Sequence, residues 1–322
     1  MPVCPSCETS VPDEKYLETY TASFNNQEYK LYHCPKCDLQ WWEPLKIVPE
    51  YYEQEGEEAY AIFHTGINQT IGENHKMFFK HMPLKSGRLL DVGCGDGVFI
   101  AEAQRRGYEV WGIDFDRKSI QVCQEKRGLK NTFAMTPWEF AEFCQKENLK
   151  FDIVTFFEVL EHQDRPREFL EAVKSMLKPG GWIAGSVPNR ESFWTKLSGR
   201  FLGNWDFPPH HLIRFNSQSL RNFLNEYSND IKIDYTVLNK NRLRAEIAQI
   251  LLGGKRNIMK IKILVKGDTD SKRSTIRNMT FLFMKTLKNL LVYYPVILFV
   301  ELSTIVFGRS DTIYFQLKTN EN

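Results

Sequence analysis

Residues 88–97 read Arg-Leu-Leu-Asp-Val-Gly-Cys-Gly-Asp-Gly, a short apolar run that breaks into glycines at alternate positions, Gly93, Gly95 and Gly97. Glycine tolerates positive φ and lets a ligand come close to the backbone. A strand, a glycine turn and a helix in that order seat nucleotide-like ligands at the carboxyl ends of α/β sheets. The spacing is G-x-G-x-G, not the G-x-G-x-x-G of the dinucleotide fingerprint. Asp91 precedes the turn, and Asp114 closes the next apolar run 17 residues after Gly97. A carboxylate there can accept both hydroxyl protons of a ribose lying across the sheet edge. Asp116, two residues on, reads as a helix N-cap.

A second constellation suits metal. Of seven cysteines, four form the pairs Cys4-Pro-Ser-Cys7 and Cys34-Pro-Lys-Cys37, with 26 residues between them. Four thiolates complete a tetrahedral site of the kind zinc prefers, closed to substrate and therefore structural. A hairpin fits the spacer, with strand-like runs at 16–24 and 28–33 around Asn25-Asn26. His33 reads as a surface residue rather than a fifth ligand. The third set comprises Glu158, Glu161 and His162, with His210-His211-Leu212 farther on. An imidazole can take a proton near neutral pH, since its free pKa is about 6.5.

The elements that must position these groups alternate regularly. Strands are expected at Leu89–Val92, 109–113, 131–134, Phe151–Phe157 and 182–187. Helices are expected at 98–106, from Arg117, from Pro137 and at 166–177, the last ended by Pro179-Gly180-Gly181. That alternation predicts a mainly parallel sheet with helices on both faces. A further helix is expected at 218–227 and strands at 231–238 and 311–318. Ahead of the sheet, residues 67–82 read as a helix. The aromatic-rich stretch 38–87, Phe63 included, is either a lid over the site or a connector packed on the main domain. The loop 189–216 is long enough to be functional.

Composition is that of a globular protein with a proper core: 42% hydrophobic, 25% charged, formal net charge +2. Such a balance exerts no strong pull on nucleic acid or anionic membrane. The start, Met-Pro-Val-Cys-Pro, shows no signal-peptide pattern, and paired free cysteines suit a reducing cytoplasm. Asn289–Val300 is twelve uncharged residues interrupted by Pro295. This is short of the roughly 20 needed to span a bilayer. Residues 276–308 therefore read as helices packed on the sheet, or as a peripheral membrane contact.

Asp91-Val-Gly-Cys-Gly-Asp-Gly97, Gly112-Ile-Asp114, the run from Phe151 to His162 and Leu177-Lys-Pro-Gly-Gly181 together resemble a class I S-adenosylmethionine-dependent methyltransferase. The resemblance implies a doubly wound, seven-stranded Rossmann-like α/β sheet with an antiparallel last strand, preceded by a small zinc ribbon. The division expected is a zinc ribbon at 1–45, a helical connector or lid at 46–87, and a cofactor-binding domain at 88–322 with an apolar helical insertion at about 276–308. Carried over, Gly93, Cys94, Gly95 and Gly97 lie along the methionine part of S-adenosylmethionine. Asp91 stands near it, Asp114 takes the ribose, and Phe115, Met135, Glu158 and His162 line the pocket. One departure is Met135-Thr136-Pro137-Trp138, where many members carry an acidic residue for the adenine amino group; backbone with Met135 or Trp138 would hold adenine instead.

Zinc-ribbon methyltransferases of sugars carry Tyr-His-Glu-His-Leu before a helix. Aligned on Leu212, His211 matches the second histidine and is the first candidate for general base, ahead of His162; His210 stands where that pattern has glutamate. The loss of that glutamate favours oxygen over carbon as the target. The acceptor implied is small or carrier-linked, a sugar or polysaccharide precursor. Competing readings are an rRNA or tRNA base methyltransferase, a sugar C-methyltransferase and an inactive cofactor-binding protein. Nucleic acid is not expected as a partner, because the first 60 residues are rich in acids and the strongest basic stretch lies at 255–277. Oligomeric state is not legible.

Overall fold

The cysteine pairs bracket a hairpin. In the computed structural model β1 (Tyr16–Thr21) and β2 (Glu28–His33) pair antiparallel, and β3 (Gln40–Glu43) adds to β2. Asn26 turns the hairpin at φ 55°, and Gln27 N–H donates to Asn25 Oδ1 at 3.1 Å. The structure describes residues 1–54, 63–66, 70–192, 206–236, 295, 298–299, 302 and 311–320. Helices α1 (Pro49–Gln54) and α2 (Glu73–His81) follow. The helix expected over 67–82 begins only at Glu73, because Gly72 is extended and caps it; residues 67–69 lie outside the described residues.

The alternation then runs β4 (Gly87–Val92), α3 (Val98–Arg105), β5 (Tyr108–Asp114), α4 (Arg117–Arg127), β6 (Thr132–Ala134), α5 (Pro137–Lys146) and β7 (Phe151–Phe157). A 3₁₀ turn (Leu160–His162), α6 (Pro166–Ser175) and β8 (Leu177–Pro188) come next. They are followed by β9 (Ile213–Arg214), α7 (Ser217–Leu224), β10 (Ile231–Tyr235) and β11 (Thr312–Lys318). Local chemistry sets the helix starts. Asp116 caps α4 by accepting from Lys118 N–H. Pro137 opens α5 inside a Thr136–Glu139 capping box, and Asn216 caps α7 through Ser219 N–H.

Seven strands form the larger sheet in the order β10-β11-β8-β7-β4-β5-β6. β4 is parallel to β5 and β7, whereas β11 runs antiparallel to both β8 and β10. This is the expected doubly wound sheet with its antiparallel last strand. β7 is central and almost wholly buried, as a strand covered on both faces must be. One expectation fails. Pro179-Gly180-Gly181 does not separate helix from strand: β8 already begins at Leu177, which pairs with Phe151, and Trp182 pairs with Ile153. The intervening residues bulge from the ladder, where glycine absorbs the bend.

The second sheet is not confined to the N-terminal segment. Its order is β1-β2-β3-β9, so a strand from far along the chain completes it. Chain contacts separate a second unit, Glu191–Trp205 with Val237–Asp311. It is described only at residues 191–192, 295, 298–299, 302 and 311, and residues 295, 298–299 and 302 are helical. The loop segment 193–205, the stretch 240–275 and most of the expected insertion at 276–308 lie outside the described residues. No helix of the described residues is long and apolar enough to cross a membrane.

Candidate active site and cysteine cluster

Beyond Val92 the chain turns through Gly93, Gly95 and Gly97 with φ of 76°, 51° and 77°, a conformation that side chains resist. Two of the three are also small for packing. A Cβ at Gly93 would stand 2.6 Å from Val159, and one at Gly97 would stand 2.6 Å from Leu129. Gly95 differs: a Cβ there would meet only the ring of Phe63, from 3.5 Å. Only an aromatic ring, at van der Waals distance, covers this backbone cradle.

Asp114 flanks that cradle. Gly95 N–H donates to its Oδ2 and Asp116 N–H to its Oδ1, both at 2.9 Å. Each carboxylate oxygen has a second lone pair for a ligand hydroxyl. Burial raises this carboxyl to about 6, and the neighbouring amides hold it from rising further. The residues present therefore fit a ribose-bearing cofactor. Asp91 instead turns into the sheet. It is buried, accepts from Thr155 Oγ1 at 2.6 Å, and is raised by burial to about 8. The Cys94 side chain is buried too, and its amide donates to Ile113 O at 3.0 Å.

Phe115, Met135 and Glu158, also expected in the pocket, each directly follow the carboxyl end of a strand, β5, β6 and β7. Phe115 is 59% exposed beside Asp114. Met135 is half-buried and its N–H donates to Asp114 O at 3.1 Å. The Arg165 guanidinium lies 5.1 Å from the centre of the Trp138 ring. Glu158, at φ 57°, accepts from Ser186 Oγ at 2.7 Å, and Asn74 Nδ2 donates to Ser186 Oγ at 3.1 Å. Asn74, Ser186 and the position of Phe63 were not legible in the sequence. Phe63 is held over the turn because its neighbours are tied to α4: His64 Nε2 pairs with Asp116 at 2.5 Å, and Lys126 Nζ donates to Thr65 O at 2.7 Å.

His162, His210 and His211 come together although 48 residues separate the first two. Their ring centres are 4.5–4.8 Å apart. His162 Nδ1 donates to His210 O at 2.6 Å. His211 Nδ1 faces Asp206 Oδ1 at 3.1 Å, while Arg214 holds the other oxygen of Asp206 at 2.9 Å. That carboxylate fixes the tautomer, with the proton on Nδ1 and Nε2 as the basic nitrogen. Burial alone would raise Asp206, but the His211 hydrogen bond and Arg214 bring it below the usual range. Burial depresses His162 well below an ordinary imidazole, and it lifts Glu161 well above an ordinary carboxyl, with the Glu158 charge adding to the rise. His162 is therefore a poor proton acceptor at neutral pH. Asp206 and Arg214 had no sequence signal beyond their place in a long loop.

The two cysteine pairs meet. Cys4 Sγ lies 3.5 Å from Cys37 Sγ, Cys7 Sγ lies 3.4 Å from Cys34 Sγ, and all four fall within 4.8 Å of one another. Thiolates bound 2.3 Å from a tetrahedral zinc stand about 3.8 Å apart, so the set fits with small adjustment. Both pairs adopt one knuckle. Glu8 N–H donates to Cys4 O and Asp38 N–H to Cys34 O, each at 2.9 Å, with φ of 58° and 63° at the turning residue. His33 is bonded to Asp38 at 2.7 Å, outside the sulfur set.

The methyltransferase domain family matches residues 65–228. A ubiquinone biosynthesis O-methyltransferase of Bordetella avium is 36% identical over 110 residues, 33% of this chain and 45% of that protein. The one of Leptothrix cholodnii is 30% identical over 170 residues, 50% of this chain and 63% of that protein. The chain thus spans about half the length of the curated relatives it matches. Among solved structures, a SAM-dependent methyltransferase from Archaeoglobus fulgidus is similar at 18% identity and TM-score 0.47, covering 83% of this chain and 100% of that one. With the family matched across half the chain, on the segment that carries the glycine turn, Asp114 and all three clustered histidines, the chain belongs to the class I S-adenosylmethionine-dependent methyltransferases.

Proposed function

We propose that the protein transfers a methyl group from S-adenosylmethionine to a hydroxyl oxygen of a small or carrier-linked acceptor. The observation that carries the reading is Asp114: its carboxylate is anchored by the Gly95 and Asp116 amides beside the glycine turn. When bound, S-adenosylmethionine supplies a methyl group already activated by a positively charged sulfur. Gly95 lets the cofactor lie on the backbone, Asp114 takes the ribose hydroxyls, and Phe63 shields that face from water.

What remains for the protein is alignment and removal of one proton. Positioning can supply much of the acceleration. His211 is the residue best prepared to take the acceptor's proton, because Asp206 holds its Nδ1–H and stabilises the imidazolium that forms. Oxygen as target is supported by the O-methyltransferase relatives, and by His210 standing where C-methylating sugar enzymes resembling this chain carry glutamate. Within that reading we assign a sugar or polysaccharide precursor as acceptor. The four cysteines hold a structural zinc whose closed coordination leaves no site for substrate.

The test is transfer of labelled methyl from S-adenosylmethionine to two acceptor panels, hydroxylated sugars and phenols, after calorimetry has established cofactor binding. Transfer to sugars alone is the expected result. Transfer to phenols alone would overturn the acceptor class, and absence of cofactor binding would overturn the reading entirely.

A further inference from the structure

Glu161 is fully buried, and neither of its carboxylate oxygens meets a hydrogen-bond donor among the described residues. A dry carboxylate without a donor carries a large desolvation cost. Its Oε1 lies 3.8 Å from His162 Nε2 and 3.9 Å from His211 Nε2, beyond hydrogen-bond reach. His211 turns its lone-pair nitrogen to this side, because Asp206 holds the other. His210 stacks on His211 at 16° between the rings, and one ring nitrogen from each histidine lies within 4.8 Å of the others. A buried carboxylate without a donor and one nitrogen from each of three imidazoles thus converge where a positive charge would satisfy the carboxylate.

We propose that His162, His210 and His211, with Glu161, bind a divalent transition-metal ion on the acceptor side of the site. Imidazole and carboxylate donors suit zinc, cobalt and manganese. Ligand atoms about 2.0–2.2 Å from one ion stand roughly 3.0–3.6 Å apart, so the three histidine nitrogens need to close by about 1 Å, and Glu161 Oε1 already stands 3.8 Å and 3.9 Å from two of them. Asp206 behind His211 is the carboxylate that commonly orients a metal-bound histidine, and Arg214 fixes Asp206 in turn. The ligands come from two elements already tied together, since Leu212 N–H donates to Glu161 O at 2.9 Å.

The role deepens the methyl-transfer reading and rests on it. An acceptor hydroxyl binding the ion becomes more acidic and loses its proton to solvent, leaving an oxygen ready for alkylation. His211 is then a ligand; without the ion it acts alone as base.

The experiment titrates the full-length protein, its cysteine cluster loaded with zinc, with cobalt(II), followed by calorimetry and visible absorption. Expected are one cobalt per chain and weak ligand-field bands without thiolate charge transfer. Affinity should fall at least about tenfold in His210→Ala and in the isosteric Glu161→Gln, with circular dichroism and S-adenosylmethionine affinity retained. Cobalt entering only the thiolate site, or binding unchanged in Glu161→Gln, overturns the proposal. Methyl transfer that persists in chelator, in a protein that takes up no cobalt, would sink the ion and leave the methyl-transfer reading intact. Cobalt binding in a protein that binds no S-adenosylmethionine would do the reverse.

Discussion

The amide of Trp42 donates to the carbonyl of Leu212 across 2.9 Å, and the amide of Leu212 donates on to Glu161 O at the same distance. One residue of the histidine loop therefore bridges the cysteine-bearing sheet and the 3₁₀ turn after β7. Just beyond it, β9 pairs with β3 through Trp41 and Ile213. The N-terminal segment reaches further still. Asp38, in the second knuckle, is 2.7 Å from Arg190 Nη2 and from Asn216 Nδ2, the cap of α7.

That bridge makes the cysteine cluster matter to turnover without its touching substrate. Cys34→Ser should lose zinc, as measured by metal analysis, and lower the melting temperature. It should also reduce methyl transfer about tenfold or more, because the loop bearing His211 loses its partner strand. Wild-type turnover in a zinc-free variant would show that the loop holds its place by itself.

His211→Ala should depress turnover by about 10²–10⁴, the range of a lost general base, while leaving S-adenosylmethionine affinity largely intact. Asp206→Asn should act in the same direction but less strongly, because it removes the group that orients His211 rather than His211 itself. Paired turnover and calorimetry on both variants check this. A drop in cofactor affinity that matches the drop in turnover would assign His211 to the pocket wall instead.

Asp114 makes cofactor affinity depend on pH. Its carboxyl is raised by burial to about 6, and ribose hydroxyls need the ionised form as acceptor. Affinity should therefore be level above about pH 7 and fall by up to tenfold per unit as pH drops below 6. Asp114→Ala should weaken binding by about 3–6 kcal/mol, the sum of two hydrogen bonds to a charged group, and should flatten the profile. Calorimetry at pH 5 and pH 7.5 on both proteins decides it.

Much of this is legible in the sequence alone. The glycine turn, Asp114 and the Asp116 cap are local features, read from a few consecutive residues, and the larger sheet follows from its regular alternation. The sequence misplaces the end of α6, because Pro179-Gly180-Gly181 punctuates strands with bulges as readily as it ends helices. The histidine cluster is a different case. His162 and His211 each stand out in the sequence, but nothing local says that their rings stand 4.7 Å apart; that follows from the β3–β9 pairing and the Leu212 bridge, both long-range. Phe63 over Gly95 was out of reach for the same reason.

Asp91 offers a test of burial itself. Its pKa is raised to about 8 by burial, only partly countered by the Thr155 hydroxyl. In the unfolded chain the same carboxyl titrates near 3.9. Between about pH 4 and pH 8 the folded protein therefore holds one proton more than the unfolded chain at this position. Stability contributed here falls as pH rises through that window, by up to about 1.4 kcal/mol per unit, and levels off above it. Asp91→Asn removes the ionisation while retaining an oxygen for Thr155. Its melting temperature, compared with wild type in the absence of cofactor, should gain steadily from pH 5 to pH 8 and be the higher of the two at pH 8. Parallel curves across that range would mean that Asp91 ionises in place, with water or a cation supplying what the sheet does not.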